Sequence, residues 1–214
     1  VDYSIGLKLG SESRTDKRKL LLTLSLCINL GLLGFFKYYN FFIESFQDAF
    51  SFFGVNLSLG TLEIILPVGI SFYTFQTLSY TIDVYRGKLV ATKNFVAFSA
   101  FVSFFPQLVA GPIERATNLL PQFEKKRQFD YAAAIDGCKQ ILWGLIKKVV
   151  IADNCAEYVN LIFANSADYS GSTLLLGSVL FAFQIYGDFS GYSDIAIGTA
   201  RLFGFSLMQN FAYP

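Results

Sequence analysis

The chain has 214 residues, 53% of them hydrophobic, 17% aromatic and 15% charged, with 17 basic and 16 acidic side chains for a net charge of +1. So little charge beside 24 Phe and 12 Tyr excludes disorder and argues against a water-soluble globule, in which about a quarter of residues are charged. The charge balance argues against a nucleic-acid partner held by counterion release, and the absence of histidine removes imidazole base catalysis and histidine metal ligation, so no metal site is expected.

The first element is the run Leu20 to Phe36, free of charge. As a helix it extends about 26 Å, close to the hydrocarbon thickness of a bilayer. Asn29 is its most polar member. Arg14, Lys17, Arg18 and Lys19 precede it, and Lys37, Glu44, Asp48 and Glu63 follow. The positive-inside rule puts the basic cluster in the cytoplasm, with Tyr38 and Tyr39 in the far interfacial belt. Cys27, Cys138 and Cys155 form no C-x-x-C pair and read as small packing residues. Asn56-Leu57-Ser58 matches a glycosylation sequon by chance.

A second span is expected from Leu59 to Tyr85, broken at Pro67 and Gly69. Beyond the break, Phe72, Phe75, Leu78 and Ile82 share one side, while Tyr73, Gln76, Thr77 and Tyr80 share another. The second side should face other helices or a water-filled cavity, because lipid offers it no hydrogen bonds. Arg86, Lys88 and Lys93 follow, again cytoplasmic. The block Phe95 to Ile113 is interrupted by Pro106, Gln107 and Gly111-Pro112 and has basic stretches on both sides. It reads as a re-entrant hairpin, a backbone tolerated at membrane depth where protein or water covers it, with a plain crossing as the alternative.

Asp136 to Ala152 is amphipathic. Ile141, Leu142, Leu145, Ile146, Val149 and Val150 lie on one arc, and Asp136, Gln140, Lys147 and Lys148 on the other. The pattern suits an interfacial helix with its lysines toward anionic headgroups, or one packed under the hairpin. Ser172 to Tyr186 is a further apolar segment, followed by Gly187-Asp188-Phe189-Ser190-Gly191-Tyr192-Ser193-Asp194. No repeat or linker divides residues 1–214. One all-α, polytopic membrane domain with broken and re-entrant helices is the expected architecture, with no separate soluble domain.

No phosphate-binding loop, dinucleotide motif or nucleophile elbow is present. Two places hold polar chemistry. One is Pro106 to Arg115, where irregular backbone, Gln107 and an ion pair of Glu114 with Arg115 would meet, unless it is a structural turn with Glu114 and Arg115 solvated. The other is Asp188 with Asp194, since acids at membrane depth are costly and mark function, unless they cap helix starts or sit among headgroups.

Four stretches carry a family resemblance: Leu66 to Gln76 (LPVGISFYTFQ), Tyr80 to Gly87 (YTIDVYRG), Phe101 to Ile113 (FVSFFPQLVAGPI) and Asp188 to Gly198 (DFSGYSDIAIG). Together they resemble the membrane-bound O-acyltransferase family, in its alginate-type branch, over nearly the whole chain.

The resemblance implies a multi-pass protein of a bacterial inner membrane that moves acetyl groups from a cytoplasmic donor to hydroxyls of an exported polysaccharide. The donor is acetyl-CoA or another acyl thioester, no cofactor is held, and the implied partners are membrane lipid, the polysaccharide and a periplasmic acetyltransferase. It also implies a tunnel lined by helices and an essential histidine. That histidine is expected beyond Pro214, so this chain contributes no catalytic residue. The chain, which starts at Val1 without a signal-peptide pattern, is expected to be an internal piece, inactive alone. Gln76, Gln107, Arg115, Asp188, Tyr192 and Asp194 are candidates to line the substrate path. D-alanyl transfer to teichoic acid is the alternative within the family, and a transporter or channel the alternative outside it.

Overall fold

The computed structural model describes residues 1–52, 54, 60, 62–63, 65–108, 111–112 and 114–211. The sequon, Leu59 at the head of the expected second span, and Val109, Ala110 and Ile113 of the expected hairpin lie outside these residues. All regular structure among the described residues is helical, in two compact units: Val1–Ser103 with Arg115–Thr117, and Phe104–Glu114 with Asn118–Pro214. Among the described residues two helices are long and apolar enough to cross a membrane, Thr15–Phe52 and Gly171–Leu202.

The first unit contains α1 (Asp2–Ser11), α2 (Thr15–Phe52), α3 (Ile70–Tyr85) and α4 (Phe95–Val102). No proline interrupts α2, so it runs well past the apolar stretch on both sides, for 38 residues or about 57 Å. Its burial is inverted relative to a soluble helix. The buried residues are Ser25 and Asn29, while Leu24, Leu30, Leu32, Phe35, Phe41 and Phe42 are exposed. Water penalises such a surface and hydrocarbon does not.

The expected second span is shorter than the sequence predicts. Residues 65–67 are not helical, and α3 starts after Gly69, whose φ of +76° is left-handed and needs no Cβ. Its 16 residues reach about 24 Å. The hydrogen-bonding side of α3 largely faces protein: Gln76, Thr77 and Tyr80 are buried and Tyr73 half-buried, while on the apolar side Phe75 is exposed but Leu78 is buried. Gly6 of α1 makes room for the Tyr80 ring, which a methyl there would meet at 2.5 Å. The Arg18 guanidinium donates to the carbonyls of Leu9 and Glu12 beside the end of α1, and of Val84 and Tyr85 at the end of α3. A cation there complements two negative helix ends at once.

The second unit begins with a 3₁₀ turn at Phe105–Gln107 and contains α5 (Ala116–Glu124, its first two residues in the first unit), α6 (Tyr131–Leu145), α7 (Asp153–Ala164) and α8 (Gly171–Leu202). Asp130 caps α6 by accepting from the Ala132 and Ala133 amides, and Ser170 caps α8 by accepting from Thr173. A π-helical turn, Ile146–Ala152, joins α6 to α7 without a break. The α8 helix does not stop at Tyr186. It continues through the Asp-Phe-Ser-Gly-Tyr-Ser-Asp stretch to Leu202, so Asp188 and Asp194 are mid-helix residues rather than caps.

Two further expectations are corrected. On α6 and the π turn, Gln140, Lys147 and Lys148 face α8, whereas Leu142, Val149 and Val150 are exposed. The lysines therefore meet carboxylates, not headgroups. Cys27 and Cys138 lie on exposed helix faces instead of in a core.

Candidate functional site

The centre of the second unit is the crossing of α6 and its π turn with α8. Gly137 and Gly144 on one side meet Gly198 and Gly191 on the other. A methyl added at Gly144 would come 2.6 Å from the Gly191 carbonyl oxygen, and one at Gly198 would come 2.5 Å from that of Gly137. Only hydrogen fits at such a distance, so the backbones touch along the seam. Small residues at a helix interface are how apolar helices associate when lipid removes the hydrophobic drive.

The polar groups follow from this seam. Asp188 and Asp194 stand three residues before and after Gly191, hence about 60° to either side of the contacting face. Lys147 and Lys148 flank Gly144 on the opposing strip. Lys147 Nζ lies 2.7 Å from Asp194 Oδ2, and Gln140 Nε2 donates to Asp194 Oδ1 at 3.0 Å. Lys148 Nζ lies 2.6 Å from both Asp188 Oδ1 and Asp153 Oδ1. The hydrogen bonds that Lys148 donates to Asp153 and then Asp188 raise its pKa, so Lys148 is a cation at neutral pH. Tyr192, 40% exposed, has Lys148 Nζ 5.9 Å from its ring centre. Asp188, Tyr192 and Asp194 are therefore gathered at one crossing, with both acids neutralised.

A different face of α8 carries hydroxyls. Ser190 and Ser193 are buried, and neither Oγ has a hydrogen-bond partner among the described residues. One turn further on, Ala196 meets the segment of Gln107 and Gly111: a methyl at Gly111 would come 2.6 Å from Gln107 Cα and 3.2 Å from Ala196 Cβ. Gln107 is itself 2% exposed, and both Oε1 and Nε2 lack partners among the described residues. Buried polar groups without partners are uncommon and costly, and they concentrate where a water or ligand completes them. Nearby, the fully buried Glu114 carboxylate accepts from Asn118 Nδ2 at 2.8 Å and from the Met208 amide. Gln122 exchanges two hydrogen bonds with the Ser206 backbone. These contacts fasten the segment after α8 to α5.

Gln76 and Arg115 belong to the first unit. Gln76 is buried, with Nε2 donating to the Phe101 carbonyl at 3.3 Å and Oε1 unpartnered. Arg115 is exposed, and the expected pair with Glu114 is not among the described ion pairs. The first unit also holds a polar core that the sequence reading missed. Asp2 Oδ1 accepts from Ser25 Oγ at 2.5 Å, from Asn29 Nδ2 at 2.9 Å and from Thr81 Oγ1 at 3.4 Å, while Thr77 Oγ1 donates to Asn29 Oδ1 at 2.9 Å. Its signal in the sequence was Ser25 and Asn29, four apart on an apolar helix and so on one face. Ser190, Ser193 and the two lysine counter-ions were also missed as site residues. Among the described residues no cluster of acids, cysteines or histidines is arranged to hold a metal.

No family model matches the chain. Its full length is 44% identical over 214 residues to a protein named probable alginate O-acetylase from Azotobacter vinelandii, of which it covers 42%. It is 34% identical over 239 aligned positions to a peptidoglycan O-acetyltransferase of Helicobacter pylori, again along the whole chain and covering 44% of that protein. A teichoic acid D-alanyltransferase of Bacillus subtilis is 25% identical over 158 residues, which is 71% of the chain and 39% of the relative. The chain thus spans about two fifths of the length of the curated relatives it matches.

Proposed function

The chain belongs to the membrane-bound O-acyltransferase family, and on that premise we propose that it forms part of an enzyme that moves acetyl groups from an acyl thioester to hydroxyls of an exported polysaccharide. The observation that carries this is full-length identity to proteins named for acetylating alginate and peptidoglycan, joined to helices whose polar residues are buried and whose apolar residues are exposed. The lower identity to the D-alanyltransferase favours acetyl as the group moved.

Acyl transfer to a hydroxyl needs a base for the hydroxyl proton and donors for the oxyanion that develops on the acyl carbon. Asp188 and Asp194 are ion-paired to lysines, and no histidine is present. The family resemblance assigns the base to a histidine in another part of the protein, and these residues alone are inactive. In this reading both compact units are parts of one membrane domain in a bacterial inner membrane, with the basic loops in the cytoplasm. Acetyl-CoA or a comparable thioester is the donor. Gln76, Gln107, Arg115, Asp188, Tyr192 and Asp194 line or brace the path. Within this set Gln107 has the most direct role, because its unpartnered amide offers N–H groups to a carbonyl and an oxygen to a hydroxyl.

The test is to supply the full-length protein, reconstituted in vesicles, with acetyl-labelled coenzyme A and polysaccharide. Label in the polymer is the expected result. Solute flux without labelled polymer supports a transporter and overturns the assignment.

A further inference from the structure

A cavity of about 200 Å³ opens in the second unit between residues 127–130, the first turn of α6 and the end of α8. Arg127 stands at its edge in an unusual state. Its guanidinium carbon lies 3.8 Å from the centre of the Phe205 ring and 5.8 Å from that of Phe123. Gly204, with φ +72°, lets the Arg127 stem pass, since a methyl there would meet Arg127 Cδ at 3.3 Å. The head is therefore held in place by stacking, while no carbonyl or carboxylate among the described residues takes its five N–H donors. A second guanidinium, Arg201, lines the cavity and pairs with Asp136 outside it. The one acid in the lining, Asp130, is committed to the α6 amides as their cap. Phe129, 77% exposed, and Phe203, 54% exposed, add flat apolar surface.

A guanidinium stacked in place with open donors matches the geometry of a phosphate, which takes it bidentately, and stacking on Phe205 reduces the entropy lost on binding. We propose that this cavity binds a phosphate-bearing ligand, with Arg127 as the principal anion-binding residue, Arg201 as the second cation and Phe129 as a stacking surface. The phosphate comes from the acyl thioester donor or from a lipid headgroup. Assigning it to the donor rests on the transfer reaction proposed above; the anion site does not.

The experiment is calorimetric titration of the full-length protein in nanodiscs with ADP and with inorganic phosphate, in parallel with thermal unfolding of each unliganded variant. Wild type should bind both probes. Arg127→Ala should weaken both by about tenfold or more, and Phe129→Ala should weaken ADP while leaving inorganic phosphate unchanged. If nanodiscs rich in phosphatidylglycerol compete with ADP, the headgroup is the source. If they do not, and the KM for acetyl-CoA rises in Arg127→Ala, the donor is the source. Absence of binding by wild type, or equal binding by a folded Arg127→Ala, overturns the site. ADP binding without any acetyl transfer would leave the site standing and sink the transfer reaction instead.

Discussion

Lys147 of the π turn and Asp194 of α8 form an ion pair at 2.7 Å in which each side chain is 14% exposed. A pair so enclosed is strongly destabilised when one member is removed, because the other is left as a buried, uncompensated charge. Asp194→Ala should lower stability by about 3 kcal/mol, read from thermal unfolding of the purified protein. The double variant Lys147→Met with Asp194→Leu should recover most of that loss, since an apolar pair replaces a neutralised one. Additive loss in the double variant would deny the coupling. The Lys148 pair is more exposed, at 26% and 34%, and Asp188→Ala should cost less.

Lys148 also fixes a pH dependence. Its folded pKa is raised above the unfolded value. The contribution is therefore fully present below about pH 10.4 and is lost only as pH rises through the raised value. Stability attributable to it should be flat between about pH 6 and 9. A difference between wild type and Lys148→Met that falls across that interval would contradict the assignment.

The glycine seam makes a position-specific prediction. Gly144→Ala and Gly191→Ala place a methyl 2.6 Å and 2.8 Å from opposing backbone oxygens, so the helices must separate. Each should destabilise by about 2–4 kcal/mol. Gly31 of α2 has nothing within 4 Å of an added methyl, and Gly31→Ala should stabilise by about 0.5–1 kcal/mol through helix propensity. Equal effects at Gly31 and Gly144 would show that the seam is not a close contact.

In the first unit, Asn29→Leu should cost about 2–3 kcal/mol. It removes the donor that Asp2 accepts from and the acceptor that Thr77 donates to, both within a buried cluster. Thermal unfolding of Asn29→Leu beside Leu30→Ala, at a 49% exposed position, separates the buried polar face from the exposed apolar one. A larger loss at Leu30 would reverse the inside-out reading.

The membrane character was legible because it is compositional. A span such as Leu20 to Phe36 needs only a count of charges, and the side of α3 bearing Gln76, Thr77 and Tyr80 needs only helical spacing. The break at Pro67 and Gly69 was legible in place but not in consequence, since whether a helix resumes or ends depends on what receives its free carbonyls. The polar arc of Gln140, Lys147 and Lys148 could face headgroups or pack under the hairpin, because spacing gives a face but not its neighbour. Its true partners are about fifty residues away, on α8. Ser190 and Ser193 were visible in the motif, yet their lack of partners is a property of the packed structure alone. Asp2 was out of reach for the same reason.

Under the proposed function, buried polar groups without partners serve a ligand and not the fold, and Gln107 is the sharpest case. Burying an amide without hydrogen bonds costs stability that an apolar residue of similar size does not. The deciding measurement is the acetyl-transfer rate of full-length Gln107→Leu beside its unfolding temperature. The rate should fall by about a hundredfold while the unfolding temperature holds or rises. A wild-type rate in the Gln107→Leu protein would contradict the account.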